Sequence, residues 1–91
     1  MTSISGRLTP STTTVNTTAT IIPSTAASGR RSIEVYNNGS NTVFLGNSSV
    51  TTSTGMPLVA GGNKAYDLDD SVVLYGITAS GSSDVRSLEG S

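Results

Sequence analysis

From Arg31 to Asn37 the chain alternates strictly, with Ile33 and Val35 on one side of an extended segment and Ser32, Glu34 and Tyr36 on the other. A period of two is the signature of a strand with one buried face, and no helix can keep such a pattern on one side. Asn37-Asn38-Gly39-Ser40-Asn41 follows, a run of residues that tolerate turn geometry. Asn41 to Gly46 resumes the alternation, with Val43 and Leu45 on one face and Phe44 on the other. Two such runs around an Asn/Gly turn predict a β-hairpin.

The same grammar continues downstream. Gly46 to Met56 reads as a polar loop with a short extended piece at Val50-Thr51, and Pro57 to Ala60 as a short strand closed by Gly61-Gly62. Asn63 to Leu68 is expected to be a strand burying Tyr66 and Leu68, ended by a turn at Asp69-Asp70. Ser71 to Ala79 carries Val73, Tyr75 and Ile77 on one face and Val72 and Leu74 on the other. Apolar residues on both faces predict a strand covered from both sides. After a turn at Ser80 to Ser83, Asp84 to Glu89 forms the last strand, with Val85 and Leu88. Short strands separated by turns at intervals of roughly 8–12 residues indicate a β-sandwich or small barrel. The expected class is all-β, a small β-sandwich that is jelly-roll-like or barrel-like.

Composition agrees. Serine and threonine supply 30 of the 91 residues, while the chain has one lysine, two glutamates and no glutamine. Threonine favours strands, serine and glycine favour turns, and straight-chain helix formers are scarce. Valine, isoleucine, leucine and phenylalanine make 20 of 91 residues, just above the roughly one-fifth below which chains tend to disorder. A chain of this length forms one domain with a thin core, which docking or oligomerisation would naturally supplement.

Residues 1–29 differ in texture. They hold many of the threonines and two of the three prolines, Pro10 and Pro23, with sparse apolar residues. Thr12 to Ile22 is strand-like, with Val15, Ala19 and Ile21 on one face. The expectation is an extended N-terminal arm over 1–29 followed by a sandwich domain over 30–91; the competing reading is a partly disordered tail. Leu8, Val15, Ile21 and Ile22 are the arm's candidate partner contacts, pairing with the sheet edge of a neighbouring subunit. On that reading, deletion of residues 2–28 leaves a folded remainder.

Several chemistries are closed off by inventory. The chain has no cysteine and no histidine, so disulfides, thiolate zinc sites, cysteine nucleophiles and the usual general base are all absent. Lys64 is the sole lysine, and the five basic residues are scattered, with only Arg30-Arg31 adjacent. That argues against nucleic acid. No apolar run reaches the ~18 residues of a membrane span, and the N-terminal residues lack a signal-peptide core. Asp67, Asp69 and Asp70 are too few for a calcium loop and read as a strand end and turn. The Asn-x-Ser/Thr triplets at Asn16, Asn38 and Asn47 are expected by chance in so hydroxyl-rich a chain. Gly55, Gly61 and Gly62 do not lie between a strand and a helix, so no phosphate loop is present. Tyr36, Tyr66 and Tyr75 could stack on sugars, but read more simply as core edges. No catalytic, metal or cofactor site is expected, and no small-molecule substrate.

The motifs Ser32-Ile33-Glu34-Val35-Tyr36-Asn37-Asn38-Gly39, Thr42-Val43-Phe44-Leu45-Gly46, Val50-Thr51, Gly55-Met56-Pro57-Leu58 and the Gly61-Gly62 turn together resemble a module of tailed-bacteriophage virion proteins. The strands at Val72 to Ala79 and Asp84 to Leu88 complete it, so the resemblance spans about residues 31–89. It occurs in capsid decoration (cement) proteins and in parts of head or tail fibres. The resemblance implies a sandwich fold, a tendency to form homotrimers, and binding to the major capsid protein on the virion surface; it supplies no catalytic residues. The chain stops at Ser91, just past its last expected strand, which suits a free-standing decoration protein. The alternative is a receptor- or carbohydrate-binding attachment module of a fibre or spike, which would gather some of the three tyrosines into one exposed cluster.

Overall fold

In a computed structural model, residues 8–91 are described. They form eight strands: β1 (Leu8–Val15), β2 (Thr20–Ile22), β3 (Ser32–Asn37), β4 (Val43–Gly46), β5 (Met56–Leu58), β6 (Asn63–Tyr66), β7 (Leu74–Thr78) and β8 (Ser83–Gly90). There is no helix among the described residues. The strands make two antiparallel four-stranded sheets, ordered β1-β8-β3-β6 and β2-β7-β4-β5. Two such sheets in this interleaved order constitute an eight-stranded jelly roll.

Burial alternates along the strands as the sequence predicts. Val15, Ile33, Val35 and Val85 of the first sheet meet Ile22, Val43, Leu45, Leu58 and Leu74 of the second in one core, with Tyr66 and Leu68 packed against it. The core is built from small aliphatics, so the sheets must approach closely. Gly76 faces inward on β7, where a Cβ would stand 2.7 Å from Ile22 Cδ1 and 2.9 Å from Val43 Cγ1; a larger residue there would overpack.

The expected hairpin is not one. β3 and β4 lie in different sheets, and Asn38 to Thr42 carries the chain across the sandwich. Asn37 organises this corner. It is fully buried, its amide donates to the carbonyls of Asn41 and Leu58 (both 2.8 Å), and its Oδ1 accepts from Gly39 N (3.1 Å) and Ser83 Oγ (2.6 Å). Gly39 is pressed so close that a Cβ would lie 2.0 Å from Ser83 Oγ. In-out alternation is the same for a hairpin and for two strands facing each other across a core, so the pattern alone could not separate them.

The structure also differs from the expected arm. Residues 8–22 contribute β1 to the first sheet, where it pairs along its whole length with β8, and β2 to the second, where it pairs with β7. No domain boundary falls at residue 29. The apolar residues here are sparse because one sheet face is solvated and the buried face of β1 is mostly hydroxylic. Met1 to Arg7, also assigned to the arm, lie outside the described residues. Finally, β7 begins only at Leu74; Val72 and Val73 sit in the preceding connection, exposed.

Candidate functional site

The outer face of the β2-β7-β4-β5 sheet is the surface whose chemistry stands out. On β7, Leu74, Gly76 and Thr78 are buried, so Tyr75 and Ile77 point outward; on β4, Val43 and Leu45 are buried, so Phe44 and Gly46 point outward. Ile21 on β2 and Pro57 on β5 complete the face, beside the buried Ile22 and Leu58. The register sets Ile21 beside Tyr75 and Gly46 in one row, and Ile77 beside Phe44 and Pro57 in the next. No charged side chain stands among these six. The opposite outer face, on β1-β8-β3-β6, is mixed: Thr12, Thr14, Glu34, Asn63, Asp84 and Arg86 interleave with Pro10, Tyr36 and Leu88.

The sequence predicts that the β7 segment is covered from both sides, and the fold buries one side fully and the other by half. The core takes Leu74, Gly76 and Thr78, and on the other side Tyr75 and Ile77 are half-buried. Along one border, the connection before β7 exposes Val72 and Val73. They line a shallow apolar groove of about 290 Å³ with Leu45, Gly46, Tyr66 and Leu68. Along another border, the β4–β5 loop is tied to itself, with Val50 N donating to Asn47 O (3.0 Å) and Gly55 N to Thr51 O (2.8 Å). It lies against Phe44, so that a Cβ on Gly55 would come within 2.6 Å of Phe44 Cβ.

Position of the remaining candidates follows from local bonding. Val15 and Ile22, expected to contact a partner, are in the protein's own core. Leu8 and Ile21 are exposed but belong to opposite sheets, so the four residues do not form a common contact. Tyr36 and Tyr75 project from opposite outer faces and Tyr66 packs against the core; the three make no single stacking surface.

The aspartates serve the connection before β7. Asp69 Oδ1 accepts from Ser71 N (2.9 Å) and Ser71 Oγ (2.5 Å), and these bonds, the hydroxyl first, hold its carboxyl below the usual value of 3.8. Asp70 Oδ2 accepts from Gly29 N at 2.8 Å. Among the described residues no group of three acidic, His or Cys side chains could hold a metal ion, and no helix is long and apolar enough to cross a membrane. Asn16 and Asn47 close turns through their side-chain oxygens, accepting from Thr18 N (3.0 Å) and Ser49 N (2.9 Å). Asn38 instead donates to Asp84 Oδ2 at 3.1 Å.

Sequence reasoning missed a buried ion pair, Arg30 Nη1 to Glu89 Oε2 at 3.0 Å, with both side chains almost wholly inaccessible. Arg30 also donates to the carbonyls of Leu68 (3.2 Å) and Asp69 (2.8 Å), and to that of Val72. Glu89 Oε2 accepts in addition from Ala27 N at 3.0 Å. The pair therefore ties the β2–β3 connection and the β6–β7 connection to β8. Its one signal in the sequence is the position of Glu89, in phase with Val85 on the inward side of the last strand.

Comparison with known proteins returns no matching family model, no matching curated protein and no matching solved structure.

Proposed function

We propose that this protein is a structural virion protein, a capsid decoration protein that seats the outer face of β2-β7-β4-β5 on the major capsid lattice of a tailed bacteriophage. One observation carries the docking part of the reading: Ile21, Phe44, Pro57, Tyr75 and Ile77 form a sheet face without a charge, on a protein whose own core is small. Contiguous uncharged faces rich in aromatic and aliphatic residues are the hallmark of surfaces destined for another protein. The capsid as the partner is supported by the likeness of residues 31–89 to phage decoration modules. An inventory without histidine or cysteine fits a mechanical role better than a chemical one.

Mechanically, each copy would bridge adjacent capsid subunits and oppose their separation under the pressure of packaged DNA. A single small face binds weakly, and the repeated lattice multiplies it through avidity. Its seat on the capsid is an apolar, uncharged depression, because a charged one would lose its hydration without a partner on this face. The test is co-sedimentation of purified protein with expanded heads of the phage that encodes it, followed by a density map of the decorated particle. Saturable binding with this sheet face inward is expected. Failure to bind heads, or density on a fibre alone, would overturn the reading, and a glycan array should be blank.

A further inference from the structure

The jelly roll leaves four edge strands, and three of them are blunted. β2 and β5 are three residues long, with Pro23 following one and Pro57 within the other; β6 is four residues long and carries Lys64. Short length, proline and lysine are the usual protections against edge-to-edge pairing. β1 is different: Leu8–Val15 is eight residues long with no charge, and its one proline, Pro10, stands near its start and leaves Ser11 to Val15 unblocked.

The direction of its backbone groups follows from bonds on the far side of its neighbour. The carbonyls of Asp84 and Gly90 on β8 accept from Asn38 N (2.8 Å) and Arg31 N (2.7 Å), so they point toward β3. Backbone groups alternate along an antiparallel strand, and therefore Ser83, Val85, Ser87 and Glu89 turn theirs toward β1. Their register partners are Val15, Thr13, Ser11 and Thr9. The N–H and C=O groups of Thr12 and Thr14 consequently face the free edge, as does Pro10, which has no N–H to offer there. Among the described residues nothing bonds them.

We infer that β1 is a dimerisation edge, pairing antiparallel with β1 of a second copy about a two-fold axis at Thr13. In that register Thr12 lies opposite Thr14 of the second copy on both sides of the axis, and each pair exchanges N–H···O bonds in both directions. Pro10 falls outside the bonded centre, where its missing donor is harmless. The occupant is a second copy because the edge is self-complementary: the central side chains are threonines, which pair favourably across strands. A strand without charge also meets its symmetry mate without repulsion. Two four-stranded sheets then become one of eight strands. This pairing does not depend on the capsid reading, and its two-fold symmetry differs from the trimer implied by the likeness to decoration proteins.

The test uses the full chain, measured by light scattering coupled to size exclusion. Thr12 and Thr14 project from the outer face and are exposed, so substitutions there spare the core. The wild type should have the mass of a dimer. T12K/T14K, which sets lysine against lysine across the axis, should be monomeric with an unchanged far-ultraviolet spectrum. T12E/T14K should be dimeric again, because the glutamate introduced on each copy then faces the lysine introduced on the other. Within the chain the two positions also sit beside Arg86 and Asp84, so the same double change sets opposite charges together there. In the dimer, hydrogen exchange at the Thr12 and Thr14 amides should be slowed. A wild-type monomer or trimer, a folded T12K/T14K that still dimerises, or a monomeric T12E/T14K would each overturn the proposal.

Discussion

Arg30 shows what a single residue can hold together. Its guanidinium joins Glu89 and three carbonyls of the β6–β7 connection inside the protein. Removing one member of a buried pair leaves an unpaired charge behind and costs roughly 3–5 kcal/mol. Arg30→Ala should accordingly destabilise by about that amount in urea unfolding, and Arg30→Lys should restore little, since one ammonium cannot reproduce the planar fork. Asp84 offers a gentler probe. The Asn38 amide, and after it Arg86, hold its carboxyl below the ordinary 3.8. The unfolded chain binds that proton more readily, so the stabilisation from Asp84 is complete above pH 3.8 and is lost as pH falls through the lowered folded value. A carboxyl-resolved NMR titration should place Asp84 below 3.8, and Asn38→Ala should move it back up toward that value. Neither partnership was legible in the sequence, because Arg30 and Glu89 are 59 residues apart, and Asn38 and Asp84 are 46 apart. An isolated charge in a strand pattern does not announce its partner.

Among elements, β1 and β2 are the informative pair. Read along the chain, Leu8 to Ile22 looks like an appendage, since its threonines and prolines build no apolar stripe. In the fold β1 pairs with β8 over eight positions and buries Val15, while β2 delivers Ile22 to the core. Apart from Val15, the inward positions of β1 are hydroxylic, as are Ser83 and Ser87 of β8, so burial here does not require a wholly apolar sequence. Deletion of residues 2–28 therefore removes a strand from each sheet and should unfold the remainder, seen as loss of near-ultraviolet signal and collapse of amide chemical-shift dispersion. A truncated chain that kept a cooperative transition would contradict this assignment. The β3 to β4 segment taught the converse lesson: Asn37-Asn38-Gly39 is a good turn sequence, and a turn was formed, but it runs between sheets.

At the scale of the molecule, the two outer faces divide the labour. One is mixed and polar; the other is uncharged, with Ile21 and Pro57 exposed and Phe44, Tyr75 and Ile77 half-buried. Ile21→Lys or Ile77→Lys places a charge on the second face without entering the core, so the thermal transition should stay within a few degrees of wild type. Binding to expanded heads should fall at least tenfold in co-sedimentation, since a desolvated, unpaired charge is a large fraction of a weak interface. Equal binding by these variants would exclude the face as the capsid contact. The equivalent change on the other face, Glu34→Lys, should leave head binding unaltered.

Alternation and turn residues were sufficient, by themselves, to determine that this chain is all-β with one solvated side to most strands, and its inventory determined which side chains any site could draw on. Both are local or additive properties: a period of two sets which side chains share a face, and a missing histidine is missing in any fold. Which strand lies beside which was decided only in three dimensions. Every strand with a buried face can satisfy its alternation against any other, so pairing is chosen by how two whole sheets close over one thin core. That closure drew the first strand to the last, turned an apparent hairpin into a corner, and left one apolar face and one uncharged edge free.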